Sequence, residues 1–354
     1  MAARTWLSGR DCVGRGCVDG FKYCDRKGGG RKRMGEKSAY YVGLDIGGTK
    51  CAATLACVCG EQPKILCKEQ FWTAGKTPTE VLETFGRFID EKRKEYTIDG
   101  IGISCGGPLD SKRGVIMSPP SLPSWDNIEI VSFFEKRYGI STYLQNDANA
   151  CAVAEKKFGN GRGCENMIFL TFGTGFGAGI ILNGKLYSGT NDNAGEIGHV
   201  RLTQRGPIGY RKAGSCEGYC SGSGIARIAV ILSKQKKYAE TYEAFLRAIG
   251  GEAISAKNIA EQAREGNDFC KAVYRKSGEM LGRTLSILID ILNPQRIIIG
   301  GVYMRSGDLL YPYAEKVMKR ECLSYNLGVV EVLPAGLKEN IGDYAAISVA
   351  KGDF

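Results

Sequence analysis

The stretch Asn146-Asp-Ala-Asn-Ala150 places a single carboxylate, Asp147, between two segments of different pattern. The residues before it, Ser141–Gln145, form an apolar strand-like run, and the residues after it, Ala148–Phe158, form a helix-like run. A carboxylate at a strand-to-helix junction is fixed in position and open to a cleft. This placement favours a general base that takes a proton from a substrate hydroxyl.

Two glycine-rich turns lie upstream and downstream of this stretch. Leu44-Asp-Ile-Gly-Gly-Thr-Lys50 joins two predicted strands, and so does Gly173-Thr-Gly-Phe-Gly177. Glycines let backbone N–H groups approach phosphate closely, so both turns predict phosphate contacts, with a plain β-turn as the alternative for the first. Asp45 is also a candidate Mg²⁺ ligand through water, because Mg²⁺ dehydrates reluctantly. The candidate phosphate-binding residues in these turns are Asp45, Gly47, Gly48, Thr49, Lys50, Thr174 and Gly175.

The second turn matches a loose dinucleotide-binding fingerprint through Gly173, Gly175 and Ala178. That fingerprint requires a following helix, whereas Ile180-Ile-Leu-Asn-Gly-Lys185 predicts a strand and a hairpin turn. A Rossmann fold is therefore not expected. Another pair, Gly300-Gly301, ends an apolar strand; it suits either a nucleotide lying against the backbone or a tight strand-to-helix turn.

Size and composition indicate a soluble globular protein of two domains. The chain has 354 residues, 43% of them hydrophobic, and no run of 18 apolar residues, so no membrane span is expected. Most of the net charge of +10 comes from residues 1–37, which makes a nucleic-acid-binding face on the body unexpected. The 14 cysteines show no C-x-x-C spacing and fit buried, reduced thiols in the cytoplasm.

The order of predicted elements suggests an α/β protein made of two similar halves. Residues 1–37 are basic and rich in glycine, and we expect them to be disordered. Residues 38–158 together with 337–354 are expected to form an N-terminal α/β lobe, and residues 159–336 a C-terminal one. Both halves open with strands and a glycine-rich hairpin turn, which suggests duplicated lobes around a central cleft.

These motifs together resemble the ROK sugar kinases (repressor, open reading frame, kinase) of the actin/hexokinase superfamily. The resemblance covers residue 39 to about residue 350 and includes Gly195-Glu-Ile-Gly-His199, which contains the chain's single histidine. It implies two ribonuclease H-like lobes, and ATP- and Mg²⁺-dependent phosphorylation of a hexose, usually at the 6-hydroxyl. Asp147 would be the base. The residues implied to bind sugar are Gly107, Asn146, Asp147, Glu196, His199 and Glu217, and those added to the nucleotide site are Gly300 and Gly301.

One departure from the family concerns its zinc site, which uses the histidine of the Gly-Glu-Ile-Gly-His motif and three cysteines. Matching Glu217 and Gly224–Arg227 to the family places other residues at the cysteine positions, namely Ile208, Tyr210 and Ser215. His199, Cys216 and Cys220 remain as ligands without an evident fourth. We therefore expect no structural zinc.

The resulting prediction is a cytoplasmic, glucokinase-like hexose kinase of carbohydrate metabolism, with a hexose and ATP as its partners and a homodimer as its assembly. Two alternatives are a ROK-type sugar-responsive transcriptional regulator and a non-catalytic sugar-binding protein. Regulators of this family carry a DNA-binding domain before the kinase-like body. Here 38 residues precede the body and lack helical periodicity, which favours the kinase.

Overall fold

The computed structural model describes residues 22–24, 38–60 and 62–354. The first group of elements, in chain order, is β1 Lys22–Cys24, β2 Ala39–Ile46, β3 Lys50–Val58, β4 Lys64–Trp72, α1 Pro78–Lys92, β5 Ile98–Cys105, β6 Leu109–Asp110, β7 Val115–Ile116, α2 Ile130–Tyr138, β8 Thr142–Asn146 and α3 Asp147–Phe158. The second group is β9 Met167–Phe172, β10 Phe176–Leu182, β11 Lys185–Leu186, β12 Ile208–Gly209, β13 Lys212–Ala213, α4 Cys216–Tyr219, α5 Gly222–Leu232, α6 Ala239–Ala248, α7 Ala256–Arg264, α8 Asp268–Leu292, β14 Arg296–Ile299, α9 Val302–Glu321, α10 Ser324–Leu327, β15 Glu331–Pro334 and α11 Ile341–Val349.

Two mixed sheets share one topology. The first sheet has the order β1-β4-β3-β2-β5-β8 and the second the order β11-β10-β9-β14-β15. Apart from β1, each sheet begins with an antiparallel meander of three strands and adds two parallel strands beside the first of them. The duplicated α/β architecture predicted from the sequence is confirmed.

Local sequence explains where the main elements begin. Thr77 and Glu80 form a capping box at the start of α1, and Pro78 occupies its first turn, where a missing N–H costs nothing. Asn183 and Gly184, both with positive φ, turn β10 back onto β11 as the Asn-Gly pair predicts. The short apolar runs Met167–Phe172 and Arg296–Ile299 predict strands, and β9 and β14 have these bounds; Gly173 and Gly300 follow them directly.

Helices α3 and α11 pack between the two sheets. Helix α3 follows the first sheet in sequence but packs on β9 and β10, whereas α11 follows the second sheet and packs on β2 and β5. The approach is close: a Cβ on Gly102 of β5 would lie 2.1 Å from the carbonyl oxygen of Ala346 in α11. The two helices meet each other through small side chains, Ala150, Ala154, Ala345 and Val349. Their first turns therefore meet at the cleft.

Three features differ from the sequence predictions. Lys22–Cys24, within the segment expected to be disordered, pair with β4 as an edge strand, while the rest of that segment lies outside the described residues. The predicted helix over 225–249 breaks after Leu232, and a second helix begins at Ala239. The sequence predicts a helix from Asp308 to Arg320, whereas α9 begins earlier, at Val302, and runs across a kink at Ser306.

The predicted domain boundary near residue 158 stays a prediction, since α3 contacts elements of both sheets. Within the described residues, no helix combines the length and apolar character needed to cross a membrane.

Candidate active site

Asp147 is the first residue of α3 and faces the cleft between the sheets. The preceding residue, Asn146, caps the helix: its side-chain oxygen accepts the N–H groups of Ala148 at 3.0 Å and Asn149 at 3.4 Å. The Asp147 carboxylate also accepts the Ala148 N–H, at 2.8 Å. Although the carboxylate touches solvent, the surrounding cleft walls desolvate it, and this raises its pKa against the opposing effect of that backbone hydrogen bond.

Asp45, near the end of β2, belongs to the same electrostatic environment. Burial, followed by the negative charges of Asp147 and Asp343, raises the pKa of Asp45 to about 7, while Lys68 and a hydrogen bond from Ser104 act in the opposite direction. A carboxylate in this position at neutral pH binds a proton or a cation readily. Asp45 and Asp147 together offer hard oxygen ligands of the kind that Mg²⁺ prefers.

Asp343 and its partners were not singled out from the sequence. Asp343 lies buried in the first turn of α11 and accepts hydrogen bonds from Thr54 at 3.1 Å and Lys68 at 2.8 Å. Its neighbour Gly342 abuts Asp45, because a Cβ added there would be 3.1 Å from the Asp45 carboxylate. The only sequence indication was a lone carboxylate in an otherwise apolar helix.

The first glycine turn, Gly47–Lys50, is held from two sides. The Thr73 hydroxyl donates to the Gly47 carbonyl at 2.7 Å, and the Thr73 N–H donates to the Thr49 carbonyl at 2.9 Å. On the other side, a Cβ on Gly48 would lie 2.4 Å from the carbonyl oxygen of Ser121, so only glycine fits. Lys50 extends from the turn, with its ammonium 4.5 Å from the centre of the Trp72 ring.

The second glycine turn, Gly173–Gly175, packs against the start of α5. The Gly222 N–H donates to the Gly173 carbonyl at 2.8 Å, and the Ser223 hydroxyl donates to the Thr174 carbonyl at 3.2 Å. Gly301 lies beside the same turn, since a Cβ there would be 2.2 Å from the Phe172 carbonyl oxygen. The structure thus places Gly301 beside Phe172 and Gly173, at the start of the turn that contains Thr174 and Gly175. It adds Ser223, which the sequence analysis missed.

A cavity of about 350 Å³ lies beside these elements. Its lining includes four of the predicted sugar-binding residues, Gly107, Glu196, His199 and Glu217. The lining residues that the sequence analysis did not assign to sugar binding are Pro108, Pro120, Phe176, Asn193, Gly198 and Tyr210. The cavity is therefore a pocket with carboxylates and an imidazole in its wall, as suits a polyhydroxylated ligand.

Asp147 and Asn146 lie next to this cavity rather than in its lining. A Cβ on Gly107 would be 3.4 Å from the Asn146 amide nitrogen, and one on Gly106 would be 3.9 Å from the Asp147 carboxylate. Asp147 also interacts electrostatically with the cavity wall. Burial, followed by the charges of Asp147 and Glu217, raises the pKa of Glu196, and His199 lowers it. Asp147 is thus close to the cavity wall.

Glu217 links the cavity to the second glycine turn. It lies in the first turn of α4, where Ser215 caps the helix by accepting the Gly218 N–H at 3.2 Å. Its carboxylate accepts the Phe176 N–H at 3.3 Å and would be 3.0 Å from a Cβ on Gly175. One side chain therefore touches both the sugar pocket and the turn expected to bind phosphate.

His199, Cys216 and Cys220 do not converge. His199 is in the cavity wall, but both cysteines are buried and face α8, where the Cys216 sulfur lies 2.9 Å from the Thr284 hydroxyl oxygen and the Cys220 sulfur 4.0 Å from the Ser277 carbonyl oxygen. No cluster of three or more metal-binding side chains occurs among the described residues. The three residues thus do not form the partial zinc site that the sequence left open.

Comparison with known proteins places these features in a family. A model of the ROK family matches residues 41–352. A glucokinase of Thermotoga maritima is 31% identical over 318 residues, covering 88% of this chain and 96% of that protein. The crystal structure of a ROK family glucokinase from Streptomyces griseus, in complex with glucose and AMPPNP, has a TM-score of 0.72 at 29% identity, covering 89% of this chain and all of that one. The DNA-binding transcriptional dual regulator NagC of Escherichia coli is 27% identical, covering 83% of this chain and 72% of the regulator.

Proposed function

The chain belongs to the ROK family, and on that premise we propose that it is an ATP-dependent hexose kinase, glucokinase-like, acting on the 6-hydroxyl. The observation that carries the proposal is the position of Asp147. This carboxylate is desolvated and fixed at a helix N-terminus, lies next to the loop that lines the cavity, and adds to burial in raising the pKa of Asp45, which precedes the first glycine turn. The glucokinases of Thermotoga maritima and Streptomyces griseus support the same activity.

Asp147 is the proposed general base. In the reaction the sugar oxygen forms a bond to the γ-phosphorus of ATP, the bond from that phosphorus to the ADP oxygen breaks, and the hydroxyl proton passes to Asp147. A raised pKa suits this role, because the carboxylate must hold the proton once it has accepted it. Glu196, His199 and Glu217 would bind the other hydroxyls and orient the sugar.

Asp45 and Asp147 fit a Mg²⁺ ion, held by Asp45 through water. When bound, Mg²⁺ neutralises charge on the phosphates. The mutual repulsion of these carboxylates, which contributes to the raised pKa of Asp45, would be relieved by a divalent cation. The backbone of Gly47–Lys50 would contact the transferred phosphate.

The nucleotide would lie along the second turn. Thr174 and Gly175 would offer backbone N–H groups to its phosphates, and the backbone of Gly300-Gly301 would contact the adenosine part. Glu217 touches both this turn and the sugar cavity, so it would hold the two substrates in register. Positioning of this kind supplies much of the catalysis in phosphoryl transfer.

A sugar-responsive regulator is the second candidate, because NagC is also similar to this chain. A regulator and a kinase both bind sugar, so binding alone does not separate them. Turnover does.

The deciding experiment incubates the protein with ATP, Mg²⁺ and a panel of hexoses and measures ADP release. We expect release with glucose, an N-acetylated hexosamine, fructose or allose, and none with 6-deoxyglucose. An Asp147→Asn variant should be inactive, whereas Asp268→Asn, an exposed carboxylate on α8, serves as the matched control. Sugar binding without ADP release from any hexose would reject the kinase and favour a regulator or a sugar-binding protein.

Four further expectations stay predictions: the cytoplasmic location, the homodimer, the two-lobe boundaries and the lack of stoichiometric zinc. Elemental analysis of the purified protein checks the last of these.

A further inference from the structure

Tyr210 stands at the tip of the β12–β13 hairpin, in a conformation that its residue type disfavours. Ile208 pairs with Ala213 and Gly209 with Lys212, so Tyr210 and Arg211 form a two-residue turn. Their φ angles are 41° and 63°. Two positive φ values define the hairpin turn in which Asn-Gly is strongly preferred, and positive φ is unfavourable for a bulky side chain. Local sequence preference therefore does not explain this tyrosine.

The hairpin is anchored at both ends. The Lys212 ammonium donates to the His199 carbonyl at 2.9 Å, and the Arg227 guanidinium donates to the Ile208 carbonyl at 2.7 Å. The Tyr210 ring meets the His199 ring edge-on, with the centroids 6.0 Å apart. These contacts fix the position of the ring without covering it.

The ring lines the cavity of about 350 Å³ and remains 61% exposed. Phe176, the other aromatic residue of the lining, is buried in the core of the second sheet. A large aromatic side chain that is held in place but uncovered at a pocket provides apolar surface for a ligand. Within this pocket, that surface lies beside Glu196, His199 and Glu217, which supply polar groups.

We propose that Tyr210 is a sugar-contacting, specificity-determining residue whose ring stacks on the C–H face of the bound hexose. The inference rests on the proposed function. A pyranose presents hydroxyls at its rim and C–H groups on its faces, so it matches a wall that combines polar residues with one exposed aromatic ring. The electron-rich ring face attracts the C–H groups and covers apolar surface. Tyr210 thereby favours hexoses whose C–H face is not interrupted by an axial hydroxyl.

The test uses Tyr210→Asn, because asparagine suits positive φ and removes only the ring. We expect the KM for glucose to rise about 5–10-fold, as loss of an aromatic contact implies, with kcat and the KM for ATP within twofold of the parent. The melting temperature should stay equal or rise. The preference in kcat/KM for glucose over allose or galactose, each with one axial hydroxyl, should fall for at least one of the two.

Three further proteins complete the design. Tyr210→Phe keeps the ring and should restore the KM for glucose. Arg211→Gly relieves the neighbouring positive φ without touching the ring and is the matched control. If Tyr210→Asn fails to fold, Tyr210→Gly takes its place, since glycine adopts any turn conformation.

In the parent, NMR saturation of the aromatic protons should transfer to the C–H protons of glucose, and this transfer should be lost in the Asn or Gly variant.

The outcomes separate the two proposals. A parent enzyme that phosphorylates glucose, together with a folded Tyr210→Asn variant of unchanged KM for glucose, overturns the role of Tyr210 and leaves the kinase intact. A parent that neither binds nor phosphorylates any hexose overturns the proposed function and this inference with it. A fall in kcat without a change in the KM for glucose overturns sugar stacking in favour of a role in holding His199.

Discussion

The turns Gly47–Lys50 and Gly173–Gly175 close equivalent hairpins in the two sheets, yet their surroundings differ. Two residues before the first glycine stands Asp45 in one hairpin and Thr171 in the other. Asp45 lies in the electrostatic field of Asp147 and Asp343. The Thr171 hydroxyl instead accepts the Gly177 N–H at 2.9 Å within its own hairpin.

The supports of the two turns differ in the same way. The first is held by Thr73, the residue after β4, and packs closely against the carbonyl of Ser121. The second is held by the start of α5 and by Glu217. Under the proposed function, the first turn would contact the transferred phosphate beside Asp45, and the second turn would contact the nucleotide.

The largest effect is expected from a change at Asp147, whose charge adds to burial in raising the pKa of Asp45 beside the first turn. Asp147→Asn is expected to lower kcat by about 10²–10⁴-fold, because it removes the proton acceptor. Glucose affinity, measured by calorimetry without nucleotide, should stay within a few-fold of the parent, since the amide keeps the shape of the side chain. Activity within twofold of the parent would mean that the base lies elsewhere.

Asp45→Asn should change how stability depends on pH. The pKa of Asp45 is raised to about 7 in the folded protein, from the ordinary 3.8, so folding favours its protonated form. This contribution is complete below about pH 4 and is lost as pH rises through about 7. At pH 8 with chelator, the free energy of unfolding of Asp45→Asn should therefore exceed that of the parent by up to about 4 kcal/mol.

Urea unfolding of parent and variant at pH 5 and pH 8 checks this, and added Mg²⁺ should stabilise the parent alone. Asp268→Asn is the control for a carboxylate outside the cluster. If pH changes the free energy of unfolding equally in the parent and in Asp45→Asn, then the pKa of Asp45 is not raised in the folded protein. The electrostatic difference between the two turns would then be absent.

Beside the second turn, Glu217→Gln should weaken substrate binding rather than slow the chemical step. It replaces a charged acceptor of the Phe176 N–H by a neutral one, and the KM for the hexose should rise about 10-fold. Initial-rate kinetics with each substrate varied in turn give the result, with Glu261→Gln on the surface of α7 as the control. If kcat alone falls, Glu217 acts in the chemical step, and residues beside both turns then contribute to it.

The smallest effect is expected from removing residues 1–37. Within this segment the described strand, Lys22–Cys24, adds to the edge of the first sheet and has no counterpart in the second. Turnover should be unchanged and the melting temperature lower by less than about 4 °C, the shift that roughly 1 kcal/mol produces. A protein lacking only residues 1–21 separates the edge strand from the rest. A larger fall, confined to the longer deletion, would show that β1 supports the first turn through β4.

The sequence by itself predicted most strands of the two large sheets and the turn at Asn183-Gly184. Apolar runs and the Asn-Gly and Gly-Gly turns are local features, and each depends on residues a few positions apart. The family that the motifs resemble implies that Glu196, His199 and Glu217 bind sugar; the three residues line one cavity, and their role stays a prediction.

Other features were decided only by the tertiary structure, because they join residues far apart in the chain. Thr54 and Asp343 are 289 positions apart, and they meet only because α11 packs on the first sheet. The exchange of α3 and α11 between the sheets brings Asp147 and Asp343 close to Asp45, and their charges add to burial in raising the pKa of Asp45. Packing also turned Cys216 and Cys220 toward α8 and placed the Tyr210 ring in the cavity wall. Sequence spacing fixes neither direction, since which face of a short helix or hairpin is buried depends on the partner it packs against.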